Sequence, residues 1–261
     1  MTTAPTHTSS KTLDLSSTSA VPVTRLVKVE LRKMVDTRSG LWLIIAIVFV
    51  TAAITIIFMF AAEEQDRVFL NFIGVLATPQ SFLLPVLGIL LVTQEWTQRT
   101  GMVTFTLEPH RSKVITAKVV AALILGLLAV VLAVALAALG TALAGAPDPW
   151  AGIGSDDFAK FTLLQVTGVL QGLAFGLIFL NSAAAIVTFF VLPLASSIVF
   201  SIWTAAQDIQ PWVDLSTGQT PLFEGVDVTG EQWAQLAVTT SVWVLLPFLA
   251  GLWRVLRAEL K

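Results

Sequence analysis

The side chains most able to form ionic contacts lie in one polar stretch, residues 93–118, which separates two long apolar segments. Its charged residues include Glu95, Arg99 and Arg111, and apolar residues are interleaved with them. Charges of both signs around apolar side chains are suited to binding another protein. A stretch that only joined two segments could be far shorter. We therefore expect a protein contact here. The alternative is that the basic residues set the orientation of the chain and touch anionic lipid.

Residue types that carry out catalysis or bind metals are scarce in this sequence. The chain has no cysteine and only two histidines, His7 near the N-terminus and His110 in the polar stretch. We find no Ser-His-Asp set, no H-E-x-x-H motif, and neither a G-x-x-x-x-G-K-[ST] loop nor a G-x-G-x-x-G turn. We therefore predict that the chain is not an enzyme and has no catalytic, cofactor or metal site. If ATP and Mg²⁺ drive it, another polypeptide binds them, and nucleic acid is not an expected partner.

The segments that must position the polar stretch are strongly apolar. Hydrophobic residues make up 56% of the chain and charged residues only 12%, against about 25% charged in a typical soluble domain. About 20 helical residues cross a hydrocarbon layer of about 30 Å. Six apolar stretches are long enough to do so: residues 41–62, 69–93, 119–145, 161–180, 183–206 and 233–253. The sequence therefore predicts an all-α integral membrane protein with six transmembrane helices.

Lysine and arginine are distributed unevenly over the connections between these stretches. Thirteen of the fifteen lie in the N-terminal region, the 94–118 connection or the C-terminal region, and only Arg67 and Lys160 lie in the alternate connections. The positive-inside rule places the larger set in the cytoplasm. Six spans with a tight turn at Asn181 and Ser182 satisfy this assignment. We expect a multi-pass protein of the cell (plasma) membrane with both termini cytoplasmic (N-in/C-in).

The chain divides into three regions. Residues 1–23 are rich in Ser and Thr and lack an apolar run, which predicts a disordered cytoplasmic tail. Residues 24–38 predict a basic amphipathic helix at the inner membrane interface, ahead of the first span. Its apolar stripe recurs at helical spacing through Val27, Leu31, Met34 and Val35. A solvated helix or an extension of the first span is the alternative. Residues 39–261 form the six-helix transmembrane domain.

The predicted spans contain hydroxyl and amide groups, but no Asp, Glu, Lys, Arg or His lies well inside any of them. Ion-coupled transport usually requires an ionisable or ion-binding group at depth, so this pattern counts against it. Hydroxyls such as those of Thr51 and Ser197 either bond to their own helix or line a pathway. Gly168, Gly172 and Gly176 form two G-x-x-x-G steps, which allow another helix to approach closely, in this chain or in a second subunit.

Two segments carry a family resemblance. One is V-E-L-R-K-M-V-D-T-R-S-G (Val29–Gly40), which leads into the first span, and the other is the polar stretch Thr93–Lys118. Together they resemble the permease subunits of ABC-2 type transporters, which have the type V ABC exporter fold. In that family an E-x-x-x-x-T-G-like segment opens the loop that touches the ATPase. The matching positions here are Glu95, Thr100, Gly101, Leu107, Pro109, Arg111 and Lys118.

The resemblance implies a permease subunit that pairs with a second copy or a homologous permease, each docked on a separate ABC ATPase subunit. The pair would export a hydrophobic or amphipathic compound by alternating access. Contact with the ATPase subunit is then expected at Glu95, Arg99, Thr100, Gly101, Phe105, Leu107, Pro109 and Arg111. The pathway or dimer contact is expected on the first and fifth spans, near Thr51, Thr55, Phe58, Ser197 and Ser201. Short helices are expected in the 207–232 connection. An ion-coupled secondary transporter and a non-transporting membrane assembly or signalling subunit remain alternatives.

Overall fold

The structure is a computed structural model that describes residues 21–98, 100–223 and 227–257, except for the side chains of Gly101, Met102, Phe105 and Thr204. Most of the predicted tail, residues 1–20, and Arg99 lie outside the described residues. Every regular element in the described part of the chain is helical, which confirms the predicted all-α class.

Eleven α-helices are found in the described residues. They are α1 (Val23–Asp36), α2 (Arg38–Ala61), α3 (Phe69–Thr97), α4 (Gly101–Leu107), α5 (Arg111–Ala144), α6 (Asp157–Phe179), α7 (Ser182–Ile202), α8 (Gln210–Val213), α9 (Leu215–Gln219), α10 (Gly230–Thr240) and α11 (Leu246–Arg257). A π-helical turn, Ser241–Leu245, joins α10 to α11 without a break. Short 3₁₀ turns occur at Glu64–Asp66, Thr204–Ile209 and Thr220–Leu222.

Six helices are long and apolar enough to cross a membrane: α2, α3, α5, α6, α7 and the continuous α10–α11 pair. This confirms the predicted number of spans and supports a multi-pass membrane protein. The bounds differ most around the predicted 94–118 connection. There α3 continues to Thr97 and α5 begins at Arg111, two residues after Pro109, so that only α4 and two short links lie between them. Proline disfavours a helical conformation in the residue before it, which agrees with the extended backbone of Glu108 and the end of α4 at Leu107.

The six long helices alternate in direction, and their ends meet in two groups. At one end, Gln94 near the end of α3 donates to the Ser39 hydroxyl of α2 (3.2 Å), and Thr93 lies 2.7 Å from the Ser182 hydroxyl of α7. The Arg111 guanidinium of α5 donates to the Val255 carbonyl of α11 (2.7 Å) at the same end. Because α1 and α4 also lie there, we call it the α1 end.

The opposite group of helix ends, which we call the far end, is fixed by the connections after α2 and α5. The Arg67 guanidinium donates to the carbonyl oxygens of Ala62 (2.9 Å) and Ala144 (3.3 Å). The first residue of α3, Phe69, donates its backbone N–H to the Pro149 carbonyl (2.9 Å). These bonds close the ends of three helices with partners from neighbouring segments.

The centre of the bundle is the contact between α3 and α6. A Cβ placed on Gly172 of α6 would overlap the carbonyl oxygen of Pro85, and one placed on Gly176 would lie 3.1 Å from the carbonyl oxygen of Ile89. On α3, a Cβ at Gly88 would overlap the backbone of α6 in the same way. The G-x-x-x-G steps predicted from the sequence therefore pack against a helix of the same chain, and the helix backbones meet without intervening side chains.

The turn between α6 and α7 is as tight as the sequence predicts. Leu180 adopts a left-handed backbone conformation (φ 51°), and Asn181 caps α7 by accepting a hydrogen bond from the backbone of Ala184 (3.0 Å). The predicted short helices of the connection before the last span are present as α8 and α9.

Candidate functional site

The α1 helix is amphipathic and packs one face against the bundle. It begins after Pro22, contains no internal Gly or Pro, and ends at Asp36, after which the Thr37 hydroxyl accepts from the backbone of Gly40 and caps α2. Its buried residues are Val27, Glu30 and Met34. Of the predicted apolar stripe, Val27 and Met34 are buried against the bundle and Val35 is half exposed.

A carboxylate lies on the buried face of α1. Glu30 is only 4% exposed and occupies the position between Val27 and Met34 at helical spacing. Sequence reasoning missed this residue. The signal was present, because a charged residue on an otherwise apolar stripe requires a partner of opposite charge inside the fold. The location of α1 at a membrane interface stays a prediction.

Four charged side chains from three helices form one cluster, of which only Lys33 is partly exposed, and we call it the ion cluster: Glu30 and Lys33 of α1, Glu95 of α3 and Lys118 of α5. The Lys118 ammonium lies 2.7 Å from Glu30 and 3.2 Å from Glu95. Lys33 lies 2.7 Å from Glu30 and 2.5 Å from Glu95. Lys118 also donates to the Leu91 carbonyl of α3 (2.9 Å). The charges of two carboxylates and two ammonium groups cancel, so the cluster has no formal net charge.

The ion cluster is held in a low-dielectric setting. Lys118 is 2% and Glu95 5% exposed. Lys33 lies on α1, outside the six long apolar helices. Burial alone would lower the pKa of Lys33, but the carboxylates of Glu30 and Glu95 outweigh burial and raise the pKa above its ordinary value of 10.5. Buried ion pairs add little net stability against an apolar packing of the same volume, but breaking one is costly. The cluster therefore fixes how α1, α3 and α5 sit relative to one another.

The short helix α4 is hydrogen-bonded to Glu95 of this cluster. The Thr104 hydroxyl donates to the Glu95 carboxylate (3.3 Å), and the backbone N–H of Thr100 donates to the Glu95 carbonyl (2.8 Å). Helix α4 exposes two large apolar side chains, Val103 (58% exposed) and Leu107 (77% exposed). Two links of a few residues join α4 to α3 and α5. A force on α4 is therefore transmitted to both helices through covalent links and through Glu95.

A groove of about 620 Å³ runs between α1 and α4. Its apolar lining includes Leu26 and Val29 of α1 and Val103 and Leu107 of α4. The ion-cluster residues Glu30, Lys33 and Glu95 line its inner part. The groove therefore combines an apolar rim on two short helices with a charged base.

The predicted ATPase-contact residues fall into three groups in the structure. Thr100, Leu107 and Pro109 are exposed on or beside α4. Glu95 and Arg111 are bonded within the chain: Glu95 belongs to the ion cluster, and Arg111 donates to the last turn of α11. Arg99 lies outside the described residues, as do the side chains of Gly101 and Phe105. The contact role of the whole set stays a prediction; Glu95 accepts a hydrogen bond from Thr104 of α4 and also lines the inner part of the groove.

The predicted pathway residues on α2 are packed inside the chain. The hydroxyls of Thr51 and Thr55 donate to carbonyl oxygens of their own helix, Ile47 (2.6 Å) and Thr51 (2.9 Å). The Phe58 ring meets the Phe72 ring of α3 edge-on, with centroids 4.8 Å apart. These three side chains therefore lie where α2 contacts its neighbours in the same chain.

The predicted pathway residues on α7 have a different setting. Ser201 is exposed and donates to the Ile198 carbonyl (2.7 Å), and Ser197 is half-buried. Within the chain α2 packs against α1, α3 and α5, whereas α7 packs against α3 and α6. The structure thus does not bring the two sets of predicted pathway residues together in one subunit. Both helices turn large apolar side chains outward, among them Phe49, Ile57 and Phe60 of α2 and Val191, Leu194 and Ile202 of α7.

In the described part of the chain, no group of three or more His, Asp or Glu side chains is placed to hold a metal ion. A scan of the sequence against protein-family models gives no match, and a search of curated proteins finds no significantly similar sequence.

Proposed function

We propose that this chain is the membrane-spanning permease subunit of an ATP-driven exporter of the ABC-2 type, whose ATPase is a separate polypeptide. The observation that carries the proposal is the α1–α4 groove at one end of a six-helix bundle. Its apolar rim lies on two short helices that cross no membrane by their length, and α4 is attached to the buried ion cluster. A cleft of this kind suits a partner protein that pushes on the bundle.

Coupling follows from the connections of α4. The partner binds the α1–α4 groove, and a movement of the partner displaces α4. Because α4 is joined to both α3 and α5, and Glu95 links it to Lys118 of α5, the displacement tilts two spans together. The resemblance in the Thr93–Lys118 segment supports an ABC ATPase as this partner. The positive-inside asymmetry supports a cytoplasmic location of the groove in the plasma membrane.

Export requires a pathway, which we place between two permease subunits. The outward apolar faces of α2 and α7 support this arrangement, since each is available to a second copy or a homologous permease. A pathway between such faces would accept a hydrophobic or amphipathic compound. Thr51, Thr55 and Phe58 would then act by shaping α2, whereas Ser197 and Ser201 stand closer to the outer surface of α7.

The proposal is tested by purifying the tagged chain in mild detergent from the cells in which it occurs naturally and identifying the proteins that accompany it. We expect a P-loop ATPase in about equal amount, and export from vesicles that requires ATP and survives collapse of the proton gradient. Leu107→Asp should remove the ATPase, because it places a charge on the apolar rim of the groove.

Ile153→Asp is the matched control, because Ile153 is also exposed but lies at the far end of the bundle. This variant should retain the ATPase. Thermal unfolding of both purified variants shows whether each is folded. Purification of a folded chain without any ATPase, or retention of the ATPase by Leu107→Asp, would show that the groove does not serve this partner.

A further inference from the structure

A second cavity lies within the bundle, away from the α1–α4 groove. It has a volume of about 320 Å³ and is lined by α3, α6, α7 and the short helix α9. We call it the aromatic cavity, because Phe82 of α3 and Phe189 and Phe190 of α7 form much of its wall. The rings of Phe82 and Phe190 are stacked with centroids 5.8 Å apart, and those of Phe189 and Phe190 meet edge-on at 5.0 Å.

The remaining walls are also fixed in position. Gly168 of α6 has no side chain to fill the space, and a Cβ there would lie 3.5 Å from the Pro85 ring. Helix α9, which contributes Ser216 and Gln219, is held by the buried carboxylate of Asp214. This carboxylate accepts from the Ser196 hydroxyl of α7 (2.5 Å) and from the backbone of Thr217 (2.9 Å). The cavity is therefore a built feature of the fold and not a gap under a loose loop.

One polar side chain of the cavity wall lacks a partner. Gln165 of α6 is 1% exposed, and its amide nitrogen has no hydrogen-bond acceptor among the described residues. Buried polar groups in native proteins are nearly always hydrogen-bonded, so a buried donor without a partner calls for an explanation. An acceptor atom on a bound molecule would supply one. Its neighbour on the same helix, Gln171, also lines the cavity and adds a second amide.

We propose that the aromatic cavity binds a compact, uncharged aromatic molecule that carries a carbonyl or similar acceptor oxygen. The phenylalanine rings would stack on its aromatic part, and the Gln165 amide would donate to its oxygen. The described lining contains no ionisable side chain, which disfavours a charged ligand. The volume lies at the lower end of the range for small-molecule pockets, about 300–1,000 Å³, which is small for a two-chain lipid. Phe82 is half exposed, so the cavity opens sideways between α3 and α7.

This site does not depend on the exporter proposal, because binding can be measured on the chain alone in lipid nanodiscs without any ATPase. The probe is benzophenone, a diaryl ketone that combines two aromatic rings with a carbonyl oxygen and forms covalent crosslinks under ultraviolet light. We expect crosslinked peptides from α3, α6 and α7 at the cavity wall. Excess benzyl benzoate should compete, because it has the same chemistry, and excess diphenylmethane should compete less, because it lacks the oxygen.

Two substitutions test separately the contribution of the Gln165 hydrogen bond and that of the cavity volume to ligand binding. Gln165→Met keeps the volume and removes the donor, and should weaken competition by benzyl benzoate about five- to tenfold. Gly168→Leu fills the cavity and should abolish crosslinking there. Gln235→Met makes the same chemical change on α10, outside the cavity lining, and should leave crosslinking as in the native chain. Thermal unfolding of each variant shows whether it is folded.

Three results would overturn the proposal. The first is crosslinking spread over the outward faces of α2 and α7 with none at the cavity. The second is a folded Gln165→Met variant whose competition curve matches that of the native chain. The third is a phospholipid that remains bound through delipidation and blocks crosslinking, which would assign the cavity to a membrane lipid instead.

Discussion

The ion cluster makes a sharp prediction for Lys118→Met. The lysine is 2% exposed and bonds to Glu30, Glu95 and the Leu91 carbonyl. Methionine preserves most of its volume but leaves two buried carboxylates with only Lys33 between them. Removal of one partner from a buried ion pair costs about 3–5 kcal/mol. At ~2–4 °C per kcal/mol for a chain of this size, the midpoint of thermal unfolding should fall by roughly 6–20 °C.

The assay is thermal unfolding in detergent micelles, followed by the fluorescence of the eight tryptophans. The double variant Glu30→Gln/Lys118→Met restores charge balance and should recover at least half of the loss. Arg32→Met is the matched control, because the Arg32–Asp36 pair is 80% and 60% exposed and such pairs contribute at most about 1 kcal/mol. If Lys118→Met unfolds at the same temperature as Arg32→Met, the buried charges do not hold α1 on the bundle, and the reasoning is refuted.

Three further predictions follow from other parts of the molecule. In the cysteine-free chain, Asp227→Cys should react with an impermeant thiol reagent applied to intact cells, whereas reaction of Lys113→Cys would contradict the predicted orientation. Gly172→Val should lower unfolding stability by about 1–3 kcal/mol, because it overpacks the contact of α6 with α3, while Gly74→Val, with open space around its Cβ position, should have little effect. The pKa of Lys33 in the folded state is raised above 10.5, so the contribution of this lysine to stability is complete below pH 10.5 and is lost as the pH rises beyond that value. Thermal unfolding measured from pH 8 to 11.5 should show this loss of stability. The loss should be smaller in Lys33→Arg, because arginine stays charged over the whole range.

The number of spans could be predicted from the sequence because hydropathy alone determines it. The bounds at the α1 end could not, since Gln94–Thr97 and Arg111–Lys118 are rich in polar and charged residues and yet helical. Hydropathy measures how well a segment suits lipid and does not show where a helix ends. Helices α3 and α5 extend beyond their apolar segments because no helix-breaking residue lies between Thr93 and Gln98 or between Pro109 and Val119.

The ion cluster shows a different limit of sequence reasoning. The position of Glu30 on an apolar stripe indicates that it is buried, but its partner Lys118 lies 88 residues away in the chain. No spacing rule connects two such residues. The sequence does not determine the roles of Thr51 and Thr55, for another reason. Helix α2 is apolar on all sides, so its sequence does not show which face packs inside the chain and which faces outward.

The close contact between α3 and α6 also limits how the protein can change shape. Sliding one helix along the other would have to move backbone past backbone, because at Gly172 and Gly88 the two helices leave no room for even a Cβ between them. Packed elements with no intervening side chains have no rotamers that could absorb such a displacement. The two helices therefore move as one rigid body. A displacement of α4 that tilts α3 would therefore tilt α6 with it, and the tilt would also reach α2 and α7, which both pack against α3.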